Sequence, residues 1–252
     1  MALLEVTDVT RRFGGVTAVD RCSLAIREGS LTGLIGPNGA GKTTMFNLIA
    51  GALRPDRGQI RLSGRRLDRL RPHQIARLGV SRTFQLTREL AELTVLENVV
   101  VHAHVRAVDL LRRSIGDAER ARAMQLLERV GLTRLADAPA GSLSYGQKKL
   151  LELAGALMPA PRLILLDEPA AGVNPALLDA IVGTIERVHK SGVTFLLVEH
   201  NMDLVMSLCD PIIVMAHGKV LAQGPRDQIQ GATRRAACCT SCWVSTWSRW
   251  MG

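Results

Sequence analysis

Gly36-Pro37-Asn38-Gly39-Ala40-Gly41-Lys42-Thr43-Thr44 matches the pattern G-x-x-x-x-G-K-[ST] at every fixed position. The flanks fit as well: Leu31 to Ile35 is a short apolar run suited to a buried strand, and Met45 to Ala52 continues as a helix. Glycines let such a loop close around an anion, backbone N–H groups and the helix N-terminus point at phosphates, and Lys42 adds a positive charge near the β and γ groups. Thr43 then offers its hydroxyl to Mg²⁺. The stretch implies an α/β chain driven by ATP.

Composition narrows the class. At 252 residues, with 22% charged and 47% apolar residues, the chain suits one α/β domain with an attached subdomain. No apolar run approaches the ~20 residues of a membrane-spanning helix, and Met1-Ala2-Leu3-Leu4-Glu5 does not resemble a signal peptide. A cytoplasmic protein is expected. The net charge of +9 is spread over scattered arginines without aromatic interleaving, which favours solubility and a membrane-facing bias over nucleic acid. Five cysteines, three of them crowded at Cys238, Cys239 and Cys242, suggest no disulfide framework.

Upstream, Leu3 to Thr10 and Ala18 to Ile26 alternate as an antiparallel pair. Phe13, near the turn between them, is either a hydrophobic turn anchor or a flat platform for a purine. Downstream, Gln59 to Leu62 reads as a strand, Pro72 to Leu78 as a helix start, and Val80 to Gln85 as a strand ending in a polar residue. Helical spacing over Thr94 to Ala107 and Asp117 to Val130, with Gly131 as a C-cap, marks a helical middle region.

Gly141-Ser142-Leu143-Ser144-Tyr145-Gly146-Gln147 opens a helical run from Lys148 to Met158. A serine and glycine amides at a helix N-terminus form a second anion site or, more plainly, a serine N-cap. Leu163 to Leu166 is a buried strand that delivers Asp167 and Glu168. An acid at the carboxyl end of a parallel strand beside a phosphate loop can orient Mg²⁺, and the next carboxylate can activate a water. Val193 to Val198 repeats the pattern and ends in Glu199-His200.

With these residues assembled, the chain resembles the ATP-binding subunit of an ABC transporter from Leu3 to roughly Gln230. That resemblance implies a P-loop NTPase core, mostly a parallel sheet, with an N-terminal antiparallel β subdomain and a helical signature subdomain at about 86–160, all within 1–230. It makes Phe13 the adenine-stacking aromatic and Gly36, Pro37, Asn38, Gly39, Ala40, Gly41, Lys42, Thr43 and Thr44 the Walker A loop. Gln85 becomes a magnesium contact facing the transmembrane partner, beside the metal-holding Thr43 and Asp167. Ser144, Gly146 and Gln147 become the signature that caps ATP held by another chain; Tyr145 stands where the usual pattern has glycine. Glu168 becomes the general base and His200 the switch at the γ-phosphate. Catalysis thus falls to Glu168, His200, Gln85 and Lys42.

Within the family, Asp167-Glu168-Pro169-Ala170-Ala171-Gly172-Val173-Asn174-Pro175 looks like the branched-chain amino acid importers. So do Arg82-Thr83-Phe84-Gln85, Leu93 to Val99 and Glu199-His200-Asn201-Met202-Asp203. Asn174 replaces an aspartate common at that position, and the insert around His102 to Asp117 looks short. The implied partners are a second ATP-binding subunit, identical or different, two transmembrane permease subunits and, indirectly, a periplasmic or extracellular substrate-binding protein, with no nucleic acid. The implied location is the cytoplasmic face of the inner membrane. A soluble ABC ATPase, an ordinary phosphate-loop kinase and a GTPase fit less well: there is one cassette, no long heptad run, and a signature.

The tail, 231–252, loses this periodicity. It holds all three tryptophans, and Cys238-Cys239-x-x-Cys242 lacks a fourth zinc ligand at usable spacing. A shifted reading frame is the expectation: read one base earlier, the codons of Cys242-Trp243-Val244 give Leu-Gly, which resembles the end of the family's last helix. Resequencing the gene and weighing the intact protein test this; a confirmed frame with the same tail in close relatives overturns it.

Overall fold

The computed structural model describes residues 1–83, 89–103 and 116–229. Gln85, much of the short insert and the 231–252 tail lie outside them. The described chain forms two compact units, one of 1–69 with the residues from 196 onward, the other of 70–195.

The first unit opens with a long hairpin, β1 (Ala2–Phe13) and β2 (Val16–Arg27), paired antiparallel as far as Phe13 opposite Val16. β1 therefore runs past the expected Thr10, and the turn is Gly14-Gly15, with Phe13 closing the strand. The alternation that marked these segments has a direct cause. Leu4 and Val6 on β1, and Cys22, Leu24 and Ile26 on β2, are buried at every second residue, while register shifts around Val9 bring Val9 and Val19 into the core as well. β3 (Leu31–Ile35) is buried at all five residues. The helix that follows the phosphate loop, α1 (Lys42–Ile49), begins three residues earlier than Met45, with Gly41 as its N-cap. β4 (Arg57–Leu62) and β5 (Arg65–Arg66) complete an antiparallel sheet of order β2-β1-β4-β5.

In the second unit, α2 (Pro72–Arg77) leads to β6 (Val80–Arg82). α3 (Val95–Val100), α4 (Asp117–Arg129) and α5 (Tyr145–Leu157) pack on one another. β7 (Leu163–Asp167), again buried throughout, runs parallel to β6, and α6 (Pro175–Lys190) follows. α3 is much shorter than the expected Thr94 to Ala107. After Val100 the bonding tightens to His102 N–H on Val99 O and Ala103 N–H on Val100 O, which ends the α ladder. The C-cap of α4 is Val130; Gly131 is the next residue, in the left-handed conformation at φ +74°.

β8 (Thr194–Val198) carries the chain back to the first unit, followed by α7 (Met202–Leu208), β9 (Ile212–Ala216) and β10 (Lys219–Gly224). The strand order there is β10-β9-β3-β8, with β3 parallel and β10 antiparallel to β9. α7 lies close on β3: a Cβ on Gly33 would sit 3.0 Å from Val205 Cγ1 and 3.1 Å from the Cys209 Cβ. No helix among the described residues is long and apolar enough to cross a membrane.

Local polar chemistry decides where α3 starts. Thr94 and Glu97 form a reciprocal capping box, Glu97 N–H donating to Thr94 Oγ1 at 3.1 Å and Thr94 N–H to Glu97 Oε2 at 2.8 Å. The Thr94 N–H and, at 2.9 Å, the Thr94 hydroxyl both donate to the Glu97 carboxylate and hold it below its ordinary range. Asn98, buried, organises the approach: its Nδ2 donates to Leu90, Leu93 and Thr94 carbonyls and its Oδ1 accepts from Leu90 N–H. Asn98→Ala strands these backbone groups and is expected to destabilise the protein by about 2–3 kcal/mol, measured by urea unfolding; a change below about 0.5 kcal/mol would show that water replaces the side chain.

Candidate active site

The phosphate loop is held by close backbone contacts within the first unit. Gly36 has φ +149°, and a Cβ there would lie 2.0 Å from Met215 O on β9. Gly41 has φ +99°, and its Cβ would meet Ala18 O on β2 at 2.4 Å. Both positions exclude every side chain, on conformation and on space. The brace continues through the β9–β10 turn: Gly218 N–H donates to Ala40 O at 3.1 Å, and Gly218 O accepts from Asp20 N–H at 2.8 Å and from the Cys22 thiol at 2.9 Å. Inside the loop, Ala40 N–H closes a turn on Pro37 O at 2.9 Å. Gly39, at φ +78°, has nothing near its missing side chain.

Lys42 is buried, and its Nζ donates to Gly36 O at 2.5 Å and Pro37 O at 3.1 Å. Its ammonium is thus folded back over the loop, on carbonyls that anionic oxygens would replace as better acceptors. Thr43 and Thr44 follow it in the first turn of α1, and Pro37 and Asn38 lie in the loop before it. The cradle fits a polyphosphate: amides at a helix start, a lysine, and no Cβ where the backbone bends most. Phe13 is 44% exposed, with the Arg11 guanidinium 4.9 Å from its ring centroid. Arg11 is itself fixed by Asp56 at 2.8 Å, so one aromatic face is taken by a cation. His200, exposed, follows β8; its N–H donates to the carboxylate of buried Glu199 at 3.0 Å. Burial and the Glu199 charge push the Cys209 thiol up to about 12.

The second unit holds Asp167, Glu168 and the stretch 144–147. Asp167 ends β7 with 3% of its surface exposed, and its Oδ2 accepts from Arg82 Nη2 at 2.9 Å. Glu168 follows at φ +49°, in the left-handed region that a non-glycine residue rarely adopts. Ser144 is the N-cap of α5: its Oγ accepts from Gln147 N–H at 3.4 Å, while its own N–H donates to Gln147 Oε1 at 2.9 Å. The bland serine-cap reading therefore holds in this structure, and the exposed hydroxyl keeps its own proton for another acceptor. Gly146 is required by packing, since a Cβ would lie 1.5 Å from Leu177 Cδ2. Tyr145 hydroxyl donates to Ala171 O at 3.3 Å, and its ring edge lies 3.3 Å from where Gly172 would carry a Cβ. Asn174 caps α6 by accepting from Leu177 N–H at 3.0 Å, a task asparagine performs as well as aspartate. Gln85 is outside the described residues.

Comparison with known proteins gives the family. A family model described as ABC transporter matches residues 19–171. The chain belongs to the ABC transporter family. It binds ATP and is an ATPase of that family. The branched-chain amino acid transport ATP-binding protein BraF of Pseudomonas aeruginosa is 44% identical over 239 residues, spanning 90% of this chain and 93% of its own. The corresponding LivG protein of Salmonella typhimurium is 42% identical over 241 residues, with 90% and 93% covered. Among solved structures, the ADP conformation of an ABC transporter's ATP-binding cassette superposes with a TM-score of 0.82 at 34% identity, covering 91% of this chain and 94% of that one. A dimeric post-hydrolysis cassette bound to ADP and Pi gives 0.74 at 25%, with 88% and 98% covered. These cassettes share its α/β fold, an antiparallel sheet beside a mixed, mostly parallel sheet with helices.

Sequence reading missed Arg82, whose partner Asp167 lies 85 residues away. It also missed the brace from Gly218. The strained backbone at Glu168 gives a test. Left-handed φ costs an L-residue roughly 1–2 kcal/mol, so Glu168→Gly, despite glycine's extra chain entropy, is expected to raise stability by up to about 1 kcal/mol while hydrolysis is lost. Paired thermal melts and phosphate-release assays check this; a destabilised Glu168→Gly protein would mean the carboxylate holds the turn together.

Proposed function

We propose that this chain is the ATP-hydrolysing subunit of an importer for branched-chain amino acids. The observation that carries the reading is the likeness at 44% and 42% identity, over nine tenths of each chain, to two transport ATPases named for that substrate class. Transport needs separate membrane subunits, since no described helix can span a bilayer. The working assembly is two ATP-binding chains and two permease subunits at the cytoplasmic face, served by a substrate-binding protein. The dimeric cassette among the similar structures supports the pairing of two ATPases. The domain is 1–230, its helical part at about 86–160.

In this reading Lys42 and the loop amides from Gly36 to Thr44 hold the phosphates, and Phe13 stacks on adenine with the face that Arg11 leaves. Thr43, Gln85 and Asp167 are the oxygen donors for Mg²⁺. The donor chemistry fits, because a hydroxyl, an amide and a buried carboxylate are the hard ligands that ion prefers. When bound, the ion neutralises phosphate charge and polarises the γ-phosphorus. Glu168, at φ +49°, takes a proton from the attacking water. His200 donates toward the γ-phosphate. Ser144 and Gly146 of one chain cap the nucleotide held by the other, so each site is complete only in the closed pair.

Binding and chemistry should separate. Lys42→Ala is expected to lose ATP affinity, whereas Glu168→Gln keeps binding and slows turnover roughly a hundredfold to ten-thousandfold, the range for a general base. Mg-ATP should dimerise Glu168→Gln in light scattering, and activity should rise with protein concentration. Full-rate hydrolysis by a strict monomer contradicts the shared site. For the substrate, deleting the gene should abolish uptake of radiolabelled leucine, isoleucine and valine; intact uptake of these with loss of urea or another amino acid redirects the assignment.

A further inference from the structure

Arg82 and Asp167 are neighbours on adjacent parallel strands, and both are largely withdrawn from water, with side-chain exposures of 16% and 4%. The pair is built in. Thr83 N–H donates to Leu165 O at 3.0 Å, and Asp167 N–H donates back to Thr83 Oγ1 at 3.4 Å, so the residues on either side of Arg82 and Asp167 are locked in register. The guanidinium meets one carboxylate oxygen at 2.9 Å. A charge buried this deeply is costly to hold without an opposite charge beside it. Here the chain supplies its own.

A second cation brought to the same carboxylate meets the guanidinium's charge at close range. At a few ångströms in a partly buried site, two like charges oppose each other. A nucleotide changes this balance, because its phosphates bring negative charge with the metal and attract both cations. From these observations we infer that Arg82 is the resident counter-ion of Asp167, and that it makes divalent-metal binding conditional on nucleotide. This rests on the assignment of Asp167 to the metal made above. Arg82 is a positioning residue: it acts through Asp167, whose Oδ2 it holds at 2.9 Å.

Mn²⁺ is the probe, followed by its paramagnetic resonance signal, with and without a non-hydrolysable ATP analogue. The unmodified protein should bind Mn²⁺ at least tenfold more tightly with the analogue than without it. Arg82→Gln should narrow that gap by about tenfold, the worth of one charge-assisted hydrogen bond, chiefly by gaining nucleotide-free binding. Arg82→Lys, which keeps the charge, should restore the gap. Equal Mn²⁺ affinity with and without analogue in the unmodified protein overturns the inference whether or not the variants fold. So does an Arg82→Gln protein that needs more metal, since the arginine would then be orienting Asp167 for the ion. Asp167→Asn separates the two levels. If it leaves analogue-dependent Mn²⁺ binding intact, the assignment of Asp167 falls and this inference with it. If it abolishes that binding while Arg82→Gln behaves as unmodified, only the role of Arg82 falls.

Discussion

Two places where backbone touches backbone govern the nucleotide half of this protein. At Gly36 and Gly41 the loop runs so close to carbonyls of β9 and β2 that a single methyl group would overlap an oxygen. The loop's shape is therefore imposed by the strands behind it and is set before any ligand arrives. That matters energetically, because an anion cradle assembled only on binding would spend part of its affinity on ordering the chain. The turn at Gly218 adds a hydrogen bond to Ala40 from a segment far away in sequence, and ties the same turn to Asp20 and Cys22. Loop, hairpin and β9–β10 turn form one rigid support.

The second unit relies instead on helix termini. Thr94 with Glu97 and Ser144 with Gln147 make reciprocal capping boxes, and Asn174 caps α6 with its side-chain oxygen. An unsatisfied first turn is the weak point of a short helix, and two of the segments by which the chain resembles branched-chain importers, Leu93 to Val99 and Asp167 to Pro175, contain such a cap. Ser144 caps its helix at both ends of the box. Its oxygen accepts from its own helix, which fixes the hydroxyl at the protein surface with the proton directed elsewhere.

Much of this was legible in residue patterns. The glycine spacing gave the loop, period-two burial gave the hairpin, and the apolar runs before Ile35, Asp167 and Glu199 gave buried strands. What escaped is non-local. Nothing in Ile212 to Gly224 announces that Met215 and Gly218 buttress a loop some 180 residues earlier. The Arg82 to Asp167 pair is invisible for the same reason, since β6 is only three residues long and its register against β7 must be known. The helix from Thr94 was overdrawn because apolar spacing continues past Val100 although the backbone bonding does not. The conformation of Glu168 is a property of the turn beyond β7 that no composition rule reports.

Tyr145 joins two motifs that are usually described apart. Its hydroxyl rests on Ala171 O and its ring on Gly172, in the stretch that leaves Glu168 and reaches the Asn174 cap. The two stretches are consequently one module for purposes of exchange. A chimera that takes its signature from a relative with glycine at this position would remove the ring that covers Gly172 and leave the Ala171 carbonyl to water, while one that replaces only 169–174 must still keep room beneath an aromatic edge. Recombination between cassettes of this kind should succeed when both stretches travel together, and the 145–174 interval is the natural unit to move.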